Sequence, residues 1–179
     1  NNLVDTSVSF GLAEIPEFNE ILITEIMADP SPTVGLPDAE YIEIYNNSDK
    51  ILSLGGIRLK DGTGTATFQD QFLLPRQYRI VTSESNAPLF TNFGGAIALK
   101  SFPSLTNSGE ELVLLDAFDI PIFYVEYSDT WYSNTLKRDG GWSLELIDVS
   151  KPCLQSGNWT DSKGSLGGTP NAANSVAGT

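Results

Sequence analysis

Short β-prone runs, each cut off by turn formers, constrain this chain more than any other feature. Apolar runs are brief, and turn signals recur about every 8–12 residues, the spacing of an all-β sandwich. The segment ILITEIM (21–27) runs into ADPSPTVGLPD, a loop stiffened by three prolines. YIEIY (41–45) then alternates with period two: Ile42 and Ile44 face one way, Tyr41, Glu43 and Tyr45 the other. NNSDK (46–50) reads as a turn, because Asn and Asp tolerate left-handed backbone and bond their own main chain. GIRLKDG sets Ile57 and Leu59 against Arg58 and Lys60 and closes on an Asp-Gly turn. EELVLLD and IPIFYVEY, parted by AFD, make the clearest antiparallel hairpin, and residues 84–108 read as loops around one short strand, AIALK. WSLELIDV is the last strong strand, with Trp142, Leu144 and Leu146 on one face opposite Ser143 and Glu145, and Trp142 expected in the core. From Lys151 onward turn formers dominate, in a wrapping segment that Leu154, Trp159 and Leu166 pin across the sandwich. The expected architecture is an all-β antiparallel β-sandwich over residues 19–176. Residues 1–18 read as a linker or lead-in edge strand, and residues 177–179 as a tail.

Composition narrows the chemistry. Ten basic residues stand against 23 acidic ones, a formal charge of −13, which repels nucleic acid and anionic membrane surfaces. No apolar run approaches the roughly 20 residues of a bilayer helix, so membrane insertion is not expected. The chain lacks an initiator Met and reads as a processed or excised piece of something longer. It holds no histidine and a single cysteine, Cys153. That excludes Ser-His-Asp and Cys-His catalysis, His-ligated zinc and an internal disulfide. Any reaction here must use carboxylates, Lys, Tyr or an oxygen-held metal.

Three groups of residues carry candidate chemistry. Asp29, Asp38 and Glu40, in and beside the proline-rich loop, could gather oxygens around calcium; the competing reading is solvated or Arg-paired acids. On strand parity Glu40 falls on the isoleucine face and Glu43 on the opposite one, so those two reach one ion only across a bulge. Glu25 and Glu43 each interrupt a strongly apolar strand. If those strands are neighbours, the pair could share a proton or a cation. A retaining glycosidase would need two carboxyls about 5 Å apart in an open cleft. The structural alternative has them accepting hydrogen bonds from loop backbone or pairing with Arg58 or Lys60. Trp131 and Tyr132, in the polar stretch YSDTWYSNTLKRDGG, could stack on a sugar or anchor a protein, or simply cover a loop. Asn46 and Asn158 match the glycosylation acceptor pattern, a common chance match.

Five stretches in order resemble the lamin tail domain, in the form it takes in secreted bacterial proteins. They are EILITEIMADPSP; EYIEIYNNSDKILSLGG; LLPRQYRIV; FPSLTNSGEELVLLD; and the closing set GWSLELID, NWTDS and GGTPNAAN. The resemblance spans residues 19 to 175. Ile57 stands where the family commonly places a large aromatic, and no helical rod accompanies the domain. The resemblance implies an immunoglobulin-like sandwich and a non-catalytic accessory or interaction domain. Its setting would be an exported bacterial protein: extracellular, periplasmic or at the cell surface. The partner would be a protein or a cell-surface component. A carbohydrate-binding module, with calcium as its one conceivable cofactor, is the alternative, and a carboxylate-dependent hydrolase a remote one. Fold alone licenses none of these activities.

Overall fold

The computed structural model describes residues 11–178. Thirteen strands follow one another: β1 Ala13–Glu14, β2 Ile21–Met27, β3 Tyr41–Asn46, β4 Ile51–Ser53, β5 Arg58–Lys60, β6 Thr65–Thr67 and β7 Phe72–Leu73, then β8 Tyr78–Ser83, β9 Ala96–Leu99, β10 Gly109–Leu115, β11 Pro121–Ser128, β12 Leu144–Leu146 and β13 Trp159–Asp161. A 3-10 helix at Ala87–Phe93 interrupts the stretch expected to be loop, and it ends on Gly94 at φ 91°. The lead-in lies partly outside the described residues; within them, β1 runs parallel to β4.

The strands form a six-stranded sheet in the order β13-β12-β2-β3-β8-β9, a four-stranded sheet β11-β10-β5-β6, and a small sheet β1-β4-β7. Pairing is antiparallel except at β8–β9 and β1–β4. The expected hairpin closes as β10–β11, where Asp116 Oδ1 accepts from the amides of Phe118 and Ile120. The NNSDK turn is built by the buried Asn46. Its Oδ1 accepts from the Ser48 amide and hydroxyl, and its Nδ2 donates to the carbonyls of Lys50 and Leu73.

One face of the six-stranded sheet fits period-two expectation. Ile26, Ile42, Ile44, Leu144 and Leu146 pack with Leu59, Leu112, Leu114, Phe123 and Val125 of the four-stranded sheet. Ile57 sits in this core at 3 % exposure, occupying the position where an aromatic was expected. Each such side chain contributes about 1.5–3 kcal/mol when fully buried.

The opposite face is not wet. Met27, Tyr41 and Ile80 pack there with Leu36 and Ala39 of the proline-rich loop and Phe90 of the 3-10 helix. The rest of that face lies beneath residues 162–176, which cross the sheet as a strap. All seven residues of β2 are consequently buried, the signature of a strand covered on both sides. The molecule is a sandwich with a third, partial layer, and that layer creates the candidate site.

Candidate functional site

Three glutamates line up across adjacent strands on the covered face. Glu145 of β12 pairs with Glu25 of β2, and Glu25 pairs with Glu43 of β3. Residues directly opposite in an antiparallel pair hold their Cβ atoms about 4.5–5.5 Å apart. A register shift between Ile23 and Glu25 marks a β-bulge at Thr24. The bulge aims Thr24 along the sheet, so that its hydroxyl donates to Glu43 Oε1 at 3.0 Å. All three glutamates are 0 % exposed, and among the described residues none of them forms an ion pair with Lys or Arg.

The strap supplies much of their solvation. Glu25 Oε1 accepts from Tyr41 Oη at 2.7 Å, Ser143 Oγ at 2.6 Å and the Thr169 amide at 3.0 Å. Glu145 accepts from the Thr169 hydroxyl on Oε1 and from the Ser175 hydroxyl and Val176 amide on Oε2. Gly168 must be glycine: a Cβ there would overlap Glu25 Oε1, Tyr41 Oη and Leu36. Asn171 accepts from the Ile80 amide and donates to the carbonyls of Phe93 and Gly95, tying the strap to β8 and the start of β9. Asn174 donates to Thr24 O at the bulge and to Leu146 O at the end of β12. Two atoms are left over. Glu25 Oε2 and Glu43 Oε2 are buried with no hydrogen-bond partner.

Burial, then the charge of Glu145, pushes the Glu25 carboxyl up to about 7, against the hydrogen bonds from Ser143, Tyr41 and Thr169. Burial, then the charge of Glu25, pushes Glu43 well above the usual carboxylate range. Burial and Glu25 likewise hold the Tyr41 phenol well above its ordinary value. Glu25 and Glu43 therefore hold their protons more tightly than free carboxyls do.

The Glu25–Glu43 pair does face itself across one strand pair, yet it has no access to solvent and hence no cleft for a sugar. Its partners are strap and sheet, not Arg58 or Lys60; Arg58 binds Asp119 and the carbonyl of Asp116 instead. The calcium group is not assembled. Among the described residues no three acids are placed to hold a metal ion. Asp38 is exposed, and Glu40 turns to the 104–105 loop, where the Leu105 amide donates to it at 3.1 Å. Trp131 packs beside Trp159, ring centroids 6.1 Å apart, and Tyr132 Oη donates to the carbonyl of Trp142 at 2.7 Å. Both rings are half-buried against the main core and form no free platform. Trp142, expected in the core, is half-exposed beneath the Lys137 ammonium. Both glycosylation-pattern asparagines are buried and engaged, Asn158 through the carbonyls of Asp148 and Lys151.

Sequence reasoning missed Glu145 and the strap residues. Glu145 looked like the outward position of a half-wet strand. The signal was GGTPNAAN, where residues specialised for backbone geometry and amide bonding cluster in a segment read only as a turn-rich wrap.

No curated protein matches the chain. The Lamin Tail Domain family matches residues 16–130, nearly two thirds of the sequence, and it comprises immunoglobulin-like domains that are not enzymes. The match takes in β2, β3, Glu25 and Glu43 and stops short of Glu145 and the strap. On that match, together with the mixed β-sandwich just described, the chain belongs to the lamin tail domain family.

Proposed function

We propose that this is a non-catalytic interaction domain of an exported or cell-surface bacterial protein, and that it binds a protein partner through its small sheet. The observation that carries this reading is where the exposed apolar side chains lie. In the small sheet Leu52 and Leu73 point inward as register partners, which turns Ser53 and Phe72 outward. Phe72 is 64 % exposed, and Ile15 and Leu74 share its outward parity. The Asn19 amide bonds the carbonyl of Ile122, and Gly56 lies against Ala117, which brings Phe18 and the hairpin tip with Phe118 and Ile120 to the same end. Clustered exposed apolar surface of this kind marks contact sites. The Glu25–Glu43 pair is sealed beneath the strap, and the sequence holds no histidine.

A photo-crosslinking residue at Phe72 tests the proposal against one at the exposed Glu84, just past the end of β8. Incubated with envelope and secreted fractions of the source cells, the Phe72 probe gives discrete protein adducts and the Glu84 probe does not. Equal adducts at both positions, retention on glycans in place of proteins, or turnover of a glycoside or phosphoester would overturn it.

A further inference from the structure

We infer that Glu25 and Glu43 share one proton between their unpartnered oxygens, and that this proton latches residues 162–176 over the sheet. The geometry leaves little else for those atoms. They sit on register-paired residues of adjacent strands, on the same face, with no exposure, and each carries one oxygen without a hydrogen bond, the backbone amides of Asn171 and Ala172 approaching the Glu43 carboxyl from the strap. Two bare carboxylate oxygens at cross-strand distance repel, whereas a proton between them makes one a donor and satisfies both.

The surroundings favour a proton over a cation. Glu145 faces the pair from β12, Tyr41 from β3 and Tyr78 from β8, and Tyr132 feels the charge of Glu25 from the loop after β11. The strap presents the neutral Thr169, Asn171, Asn174 and Ser175, and the 3-10 helix APLFTNF contains no titratable residue. No group among these brings positive charge. The other face of the sheet is the main core, so water can reach an ionised pair only from the strap side.

Loss of the shared proton to water leaves two adjacent buried negative charges. They can be hydrated only if residues 162–176 lift. Opening thus releases one proton, and its equilibrium constant rises about tenfold per pH unit above the ordinary carboxylate value of 4.5, levelling off once the closed pair itself ionises.

The test uses the whole chain, with amide hydrogen exchange measured from pH 5 to pH 9 and corrected for base-catalysed intrinsic exchange. The expected result is that protection of the 164–176 amides falls about tenfold per pH unit from about pH 5 toward neutral, where the opened pair is ionised and the closed pair still holds its proton, while β10 and β11 amides keep theirs. Side-chain carbon NMR on glutamate-labelled protein should show one of the buried carboxyls still protonated at pH 6. E43Q supplies an amide donor to Glu25 Oε2 in place of the proton, and strap protection in that variant should become flat with pH. Two buried carboxylates fully ionised at pH 6 beneath a protected strap would overturn the inference. So would strap and hairpin amides that lose protection in parallel. Both refuting observations come from the unmodified chain, so they stand even if E43Q fails to fold.

Discussion

Replacing Asn174 by alanine should destabilise the domain by about 2–4 kcal/mol. The side chain is 7 % exposed, and its Nδ2 donates to Thr24 O at 2.7 Å and to Leu146 O at 2.8 Å. Alanine leaves both carbonyls buried without a donor, and each such loss costs about 1–3 kcal/mol. Set against this, Asn174 Oδ1 has no partner, so deleting it returns about 1 kcal/mol. In a chain of this length each kcal/mol moves Tm by about 2–4 °C, giving a drop of about 5–15 °C. Urea unfolding followed by fluorescence of the buried Trp159 measures the change directly. Asn174→Asp is the sharper probe. It keeps the shape but turns a double donor into an acceptor aimed at two carbonyls, so it should cost more than alanine. An alanine variant within about 0.5 kcal/mol of the parent would refute the reasoning, as would an aspartate variant no worse than alanine.

Three further outcomes follow from the same contacts. The folded chain holds the Glu25 proton up to about pH 7, whereas the unfolded chain releases it near 4.5. The stability this confers is therefore full below 4.5 and lost as pH rises through 7; a displacement of that size is worth about 3 kcal/mol, measurable as a falling urea midpoint over that window. Asp161 behaves oppositely. Burial raises it, but hydrogen bonds from Ser133 and Lys137 outweigh burial and hold it at about 2, so its contribution is present above 3.8 and lost as pH falls through 2. Asp161→Ala strips the acceptor from the Ser133 amide and hydroxyl and the Asn134 amide and should cost about 1–3 kcal/mol in the same assay. Gly168→Ala forces the strap off Glu25 and should cost about 1–3 kcal/mol, with hydrogen exchange rising at 164–176, while Gly157→Ala, with open space around it, should stay within about 0.5 kcal/mol.

Much of the sandwich is legible in the sequence because period-two patterning and turn chemistry are local. YIEIY announces its two faces, NNSDK its turn and EELVLLD its hairpin, and each lies where those residues require. Parity also puts Glu43 with Tyr41 on the side away from the main core. Parity cannot say what lies on that side. A glutamate at an off-core position reads as solvated, and only a distant segment, such as the strap that reaches Glu25 from 144 residues away, turns it into a buried group. The Thr24 bulge is equally silent, since ILITEIM reads as an uninterrupted strand. Trp142 fails for a related reason: it precedes the paired part of β12, where the chain is bending toward Lys137 and alternation no longer holds.

The strap also separates two things that domain boundaries usually equate. The region that matches the family ends at residue 130, yet the partner strand of β2 and the cover of its glutamates lie in residues 144–176. A fragment trimmed to the recognisable part would carry Glu25 and Glu43 on an open sheet face, with Met27, Tyr41 and Ile80 beside them. Such a piece would ionise, hydrate and expose apolar surface at once, and aggregation would be its expected fate. During synthesis the same condition is passed through transiently, because the segment that closes the sheet is the last of it to leave the ribosome. Transplanting this domain between proteins therefore requires carrying its closing segment along, however little of the family signature that segment contains.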